Sequence, residues 1–183
     1  MDRRIFLQIP LLASAFFAEA KNRSDRAKKG FKVEANKDRY LEDLHIMGGK
    51  FDCKVSSKDS DGDLCIYDTI REEKGGPALH IHHKQDEWFY VIKGEFIVKV
   101  GEDTYQLKAG DSAFAPRKIP HAFALTSEGE GQLLVLFQPA GAMEAFFHEV
   151  ARLGKDVPKS QDKAFKDLWK RHGMEIVGPP LKF

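Results

Sequence analysis

The side chains with most chemistry to offer lie between residues 75 and 96, in GGPALHIHHKQDEWFYVIKGEF. His80 and His82 are two apart, so on a strand both project to one face while Ile81 and His83 project to the other. Glu87, Phe89 and Val91 alternate in the same way with Trp88, Tyr90 and Ile92, and a strand that turns the first set inward brings Glu87 to the two histidines. Imidazole and carboxylate together are a donor set for a first-row divalent transition metal. A fourth donor, His121, leaves a loop bracketed by Pro116 and Pro120 and enters another strand. His83 is a rival for one ligand place, but alternation sends it to the wrong face. The competing account is a polar cluster satisfied by hydrogen bonds alone. A carboxylate turned into an apolar interior beside three imidazoles is costly without a cation, which favours the metal.

The elements around these residues are short strands. Leu44 to Met47, Phe51 to Ser56, Leu64 to Arg71, Phe96 to Val100, Thr104 to Leu107, Ser112 to Ala115, His121 to Thr126 and Gln132 to Gln138 all read as strands between Gly, Pro and Asp turns. Lys93-Gly94-Glu95 reads as a tight turn that returns Phe96 to Val100 as the partner of the Glu87 strand. Without an internal repeat, this pattern predicts one all-β sandwich or barrel over 40–140. Inward Phe89, Val91, Phe96 and Val98 would surround the site with apolar surface. Past Pro139 the period changes. Met143, Phe146, Phe147, Val150 and Leu153 form a helical stripe ending at Gly154, and a second helix runs from Ser160 as N-cap to Arg171, burying Phe165, Leu168 and Trp169. Residues 141–183 are thus a helical extension, a lid over the barrel's outside or one open end, with Met174 to Leu181 docked against it.

Two motifs carry a resemblance. H-x-H, four residues, E, six residues, G is met by His80, His82, Glu87 and Gly94; G, five residues, P, then H is met by Gly110, Pro116 and His121. The chain thereby resembles the cupin family, and the helical extension resembles, less specifically, single-barrel quercetin 2,3-dioxygenase-like members. The resemblance implies an all-β jelly-roll (cupin) β-barrel with a C-terminal helical extension. In it His80, His82, Glu87 and His121 bind one divalent transition metal, whether Fe, Mn, Ni, Co, Cu or Zn. It further implies a metal-dependent dioxygenase acting on a small aromatic or enolisable molecule, with Glu87 doubling as general base. The alternative is an exported small-molecule-binding or isomerase-type cupin, since one barrel hosts many chemistries. Homodimerisation is the family's habit. Three positions depart from the family pattern: Lys74, Lys118 and Leu125 stand where Gly, Gly and Asn are common, and Gly75-Gly76 follow slightly late. None is a ligand.

Composition sets the outer limits. With 183 residues, 42% of them hydrophobic, the chain can bury a sizeable core, and a net charge of +1 gives no long-range attraction to nucleic acid or an anionic membrane. Residues 1–20 place Arg3-Arg4 before an apolar run and end in Ala18-Glu19-Ala20, the parts of an export signal. Arg3 to Gln8 resembles the twin-arginine motif. The run is too short to span a membrane. A periplasmic location is therefore expected; if this segment is instead a helix packed on the barrel, the location is cytoplasmic. Residues 21–39 read as a charged linker. Cys53 and Cys65 can face each other across a hairpin, so either a disulfide or two buried thiols results.

Overall fold

The computed structural model describes residues 26–154, 157 and 159–183, so the export-signal reading of residues 1–20 lies outside the described residues. The alternating runs form strands β1 (His45–Ile46), β2 (Gly49–Val55), β3 (Cys65–Arg71), β4 (Ala78–His82), β5 (Asp86–Lys93), β6 (Glu95–Val100), β7 (Asp103–Lys108), β8 (Ser112–Ala115), β9 (His121–Leu125) and β10 (Gly131–Gln138). Helices α1 (Met143–Leu153) and α2 (Lys163–Arg171) and a last strand, β11 (Met174–Pro180), follow. A six-stranded sheet in the order β1-β2-β3-β10-β5-β8 faces a five-stranded one in the order β11-β4-β9-β6-β7, and every pairing is antiparallel. This is the expected all-β jelly roll. Its inward files meet in one apolar core that includes Phe89, Val91, Phe96, Val98, Leu125 and Leu133. Each such fully buried side chain contributes about 1.5–3 kcal/mol of transfer free energy.

The expected hairpin at Gly94 does not form. β5 pairs with β10 and β8, β6 pairs with β9 and β7, and the chain at Gly94 crosses from one sheet to the other. One residue is too short for a hairpin loop, and the edges are already taken, those of β5 by β10 and β8 and those of β6 by β9 and by β7, which follows it directly. Gly94 has φ 83, and a Cβ there would lie 3.1 Å from Gly131 Cα, so the corner requires glycine twice over. Gly76 is constrained more tightly still: a Cβ would sit 1.8 Å from the Phe123 carbonyl oxygen. The late Gly75-Gly76 pair is what lets β4 start against β9, with Gly75 and Leu125 exchanging backbone hydrogen bonds of 3.0 and 2.9 Å.

The C-terminal segment takes a more definite form than docking. Met174–Pro180 is an edge strand of the second sheet, pairing Met174 with His82 and Ile176 with His80. Helix α2 begins at Lys163 with Asp162, not Ser160, at the N-cap position. α1 and α2 close one open end of the barrel. Phe147 packs on Phe51 and Tyr67 with ring centroids 5.1 and 4.8 Å apart, and Phe146 packs on Trp169 at 5.0 Å. Glu149 ties the two helices, accepting hydrogen bonds from Arg171 and His172 at 2.6 Å each. Glu144 fastens the start of α1 to the barrel by accepting from the Ser57 backbone N–H and the Ser56 hydroxyl at 2.9 Å. Cys53 and Cys65 are free buried thiols; β2 and β3 pair Cys53 with Tyr67 instead, with a bulge beyond it.

Candidate metal centre

Three strands deliver the four predicted donors. His80 and His82 come from β4, Glu87 from the start of β5, and His121 from the start of β9, where His80 and His121 are paired across the ladder. The loop before His121 is set by Lys118, which has φ 67 and donates its N–H to the His82 carbonyl at 2.8 Å. That left-handed backbone is the reason glycine suits this position in the resembling family. All four side chains are buried, and one ligand atom from each lies within 4.8 Å of all the others.

The donor atoms fit a cation. Glu87 Oε2 lies 2.8 Å from His121 Nε2, 3.2 Å from His82 Nε2 and 3.8 Å from His80 Nε2, and the His80 and His82 Nε2 atoms are 3.1 Å apart. Ligands about 2.1 Å from a common ion and adjacent around it stand about 3 Å from each other, the spacing seen here. Protonation agrees. His80 Nδ1–H donates to the Ala78 carbonyl and His121 Nδ1–H to the Ile119 carbonyl, each at 2.8 Å. A carbonyl only accepts, so each ring when neutral keeps its Nε2 lone pair for the centre of the cluster, and without a cation a proton on His121 Nε2 faces Glu87 instead. His82 Nδ1 has no such anchor.

Electrostatics divides the cluster. Burial pushes His80 down to about 4, against the pull of Glu87, so its ring is neutral. Burial alone would raise the Glu87 carboxyl, but the three imidazoles set against it, His121 first, outweigh this and hold the group well below the usual carboxylate range. Burial also lowers His121, and its bond to Glu87 more than reverses this. The outcome is a fixed negative charge among imidazoles, which a divalent ion neutralises.

His83, the rival ligand, points away, half-exposed and 3.6 Å from Glu175. His45, His148 and His172 pair with Asp43, Glu42 and Glu149 far from the cluster. The expected apolar surroundings come from other residues. Phe89, Val91, Phe96 and Val98 fill the core and do not line the cavity beside the cluster; only Phe89 comes near, 6.4 Å from the His121 ring. That cavity, of about 50 Å³, is walled by Phe51, Phe123, Phe137, Phe146, Phe147 and Trp169 among others, with His80, His82 and Glu87 at one side. The indole of Trp169 stands edge-on to His80 at 4.9 Å. Arg71 also lines it, a residue the motif reading missed. Alternation could have found it, since Cys65, Tyr67, Thr69 and Arg71 form one inward file of β3.

Residues 69–137 match the family model described as a cupin domain. An uncharacterized protein of Streptomyces coelicolor is 35% identical over 57 residues, 31% of this chain and 53% of its own length. An uncharacterized protein of Methanocaldococcus jannaschii is 30% identical over 43 residues, 24% and 34% of the two lengths. The chain thus spans about half and about a third of the curated relatives it matches. Among solved structures, an RmlC-like cupin from Shewanella frigidimarina superposes with a TM-score of 0.50 at 26% identity, over 63% of this chain and 95% of that one. Domain match, sheet order and buried cluster agree, and they support a cupin domain over residues 69–137.

Proposed function

We propose that the protein is a metal-dependent cupin dioxygenase for a small aromatic or enolisable compound, with one divalent transition metal held by His80, His82, Glu87 and His121. The observation that carries this is the convergence of four buried donor atoms beside an apolar cavity. A redox-capable ion such as iron or manganese, held by these four residues, would supply Lewis acidity toward the substrate oxygens and redox chemistry with dioxygen. The chain's own residues do the rest. Ala78 and Ile119 hold the His80 and His121 rings in the tautomer that leaves Nε2 free. Glu87, kept ionised by its neighbours, is placed to accept the proton of an enol or phenol hydroxyl. The aromatic wall excludes water and favours a flat apolar body over a sugar. The cavity of about 50 Å³ takes only a few non-hydrogen atoms, so a flavonol-sized body requires the α1–α2 cap to move. The proposal includes export of the folded protein, metal already bound, by residues 1–20, and a homodimer.

Anaerobic purification, elemental analysis and oxygen uptake with a panel of flavonols, catechols and β-diketones test it. The expected result is one metal ion per chain and uptake with at least one class. Bound metal with no uptake under any reconstitution replaces this reading with the binding or isomerase-type cupin; folded protein that takes up no divalent ion ends both.

A further inference from the structure

Arg71 ends the inward file of β3, is only 7% exposed, and contributes to the wall of the cavity that His80, His82 and Glu87 also line. Its guanidinium is seated with care. Nη2 donates to the Met47 carbonyl at 3.0 Å, and the β1–β2 turn passes so close that a Cβ on Gly49 would lie 3.4 Å from Nη1. The Phe123 ring stands 6.0 Å from its central carbon. Among the described residues no carboxylate lies within ion-pair distance of it, Glu73 acting on it only from farther off, and its Nε–H has no hydrogen-bond partner. Arginine stays charged in proteins, so this is a buried cation without a direct ion pair, an arrangement that a structure seldom keeps for stability.

A second unspent donor belongs to the same wall. Trp169 Nε1–H is buried without a partner, and Trp169 lines the cavity from α2. Apart from Glu87, already committed to the histidines, the remaining lining side chains are carbon, sulfur or imidazole and offer these donors no oxygen. Two unpartnered N–H groups on residues that wall an apolar cavity, one of them cationic, are complementary to an anionic group rich in acceptors. The planar guanidinium fork matches a planar carboxylate, and a cavity of about 50 Å³, room for roughly three or four water molecules, suits a compact one.

We propose that Arg71, assisted by Trp169 Nε1–H, is the anion anchor of this cavity and that the molecule acted on carries a carboxylate. The inference refines the dioxygenase reading by narrowing the substrate to a small enolisable or aromatic acid, with Arg71 as a specificity-determining residue. It does not depend on oxygen chemistry, because anion binding is measurable by itself.

The test uses the full-length protein as purified, with its metal content determined for every sample. Propionate, pyruvate and the neutral isostere propionamide are titrated by calorimetry and thermal shift at matched ionic strength. The wild type is expected to bind both carboxylates at least tenfold more tightly than the amide. Arg71→Met is expected to abolish that preference and to leave amide binding and metal content unchanged. No preference in the wild type overturns the proposal. So does a preference that survives Arg71→Met, most plainly alongside a lowered Tm, which makes Arg71 a strut for the Met47–Gly48 turn. If Arg71→Met does not fold, Arg71→Lys decides: carboxylate binding weakened while amide binding is unchanged supports the anchor, and equal effects on both overturn it. Absence of metal with the preference intact counts against the dioxygenase reading alone.

Discussion

Along β5 the inward positions run Glu87, Phe89, Val91, and over that one strand the interior changes character. At the Glu87 end lie three histidines and one side of a cavity. At the Val91 end Phe96, Val98, Leu125 and Leu133 fill the space with nothing polar among them. The same ladders run through both ends, so the filled half acts as the platform that fixes where the donors of the other half point. Burial is comparable at the two ends, but the filled half gains from it while the site half spends it on desolvated charge. Function and stability are therefore carried by different residues of the same strands, and they can be separated by mutation.

The largest expected effect breaks the site half alone. Glu87→Ala and His121→Ala should each lower metal affinity at least about a hundredfold, more than the loss of an outer hydrogen-bonding partner, while the circular dichroism spectrum stays unchanged. Elemental analysis after dialysis reads this out. Should His83→Ala strip the metal instead, the face assigned to β4 is wrong. The converse break is Phe96→Ala. Its ring is 1% exposed and stands 6.4 Å from Phe123, so truncation should cost about 3–5 kcal/mol in urea unfolding with metal stoichiometry unchanged. Loss of metal from that folded variant would show that the two halves are not separable. A finer probe is Gly131→Ala, whose Cβ would fall 2.3 Å from Leu125 Cδ1 and 2.7 Å from Phe96 Cζ. Overpacking of about 1–3 kcal/mol is expected, again without effect on the metal.

The two halves also differ in how far the sequence reveals them. The donors were legible because a two-residue strand period and fixed motif spacings place His80, His82, Glu87 and His121 on known faces within short segments. The all-β pattern and both helices were legible for the same local reason. What local pattern could not carry is pairing at a distance. The strands flanking Gly94 look like a hairpin because their alternation matches, and nothing within ten residues says that β10 and β9 have taken their edges. The cavity wall was missed in the same way. Phe146, Phe147 and Trp169 read as a packing stripe, which they are, but only the tertiary fold shows that the surface they pack on is the mouth of the site. Tyr67 and Arg71 share one file of β3, and it is the end of the strand, not the residue spacing, that puts Arg71 at the cavity.

The smallest expected effect concerns the layer behind that wall, where Cys53, Cys65 and Tyr67 sit together. Burial, then the charges of Glu144 and Asp38, pushes the Cys53 thiol up to about 12, and burial raises Cys65 and Tyr67 as well. All three are neutral acids when protonated, so a raised value in the fold means that the folded state holds its protons more tightly than the unfolded state does. Their stabilising contribution is whole below the unfolded values and fades as pH rises through the folded ones. Stability should accordingly be flat from neutral pH to about pH 8 and decline from about pH 9 toward 12 as the unfolded chain sheds protons that the native chain retains. Cys53→Ala should flatten the first part of that decline, and native protein at pH 8 should react with a thiol reagent only as fast as it opens, because the thiolate fraction at Cys53 is on the order of 10⁻⁴. Rapid labelling at pH 8 in folded protein would mean that this layer is open to solvent, and the cavity wall built on Phe51 and Phe147 would then be looser than the packing of Tyr67 against Phe147 at 4.8 Å implies.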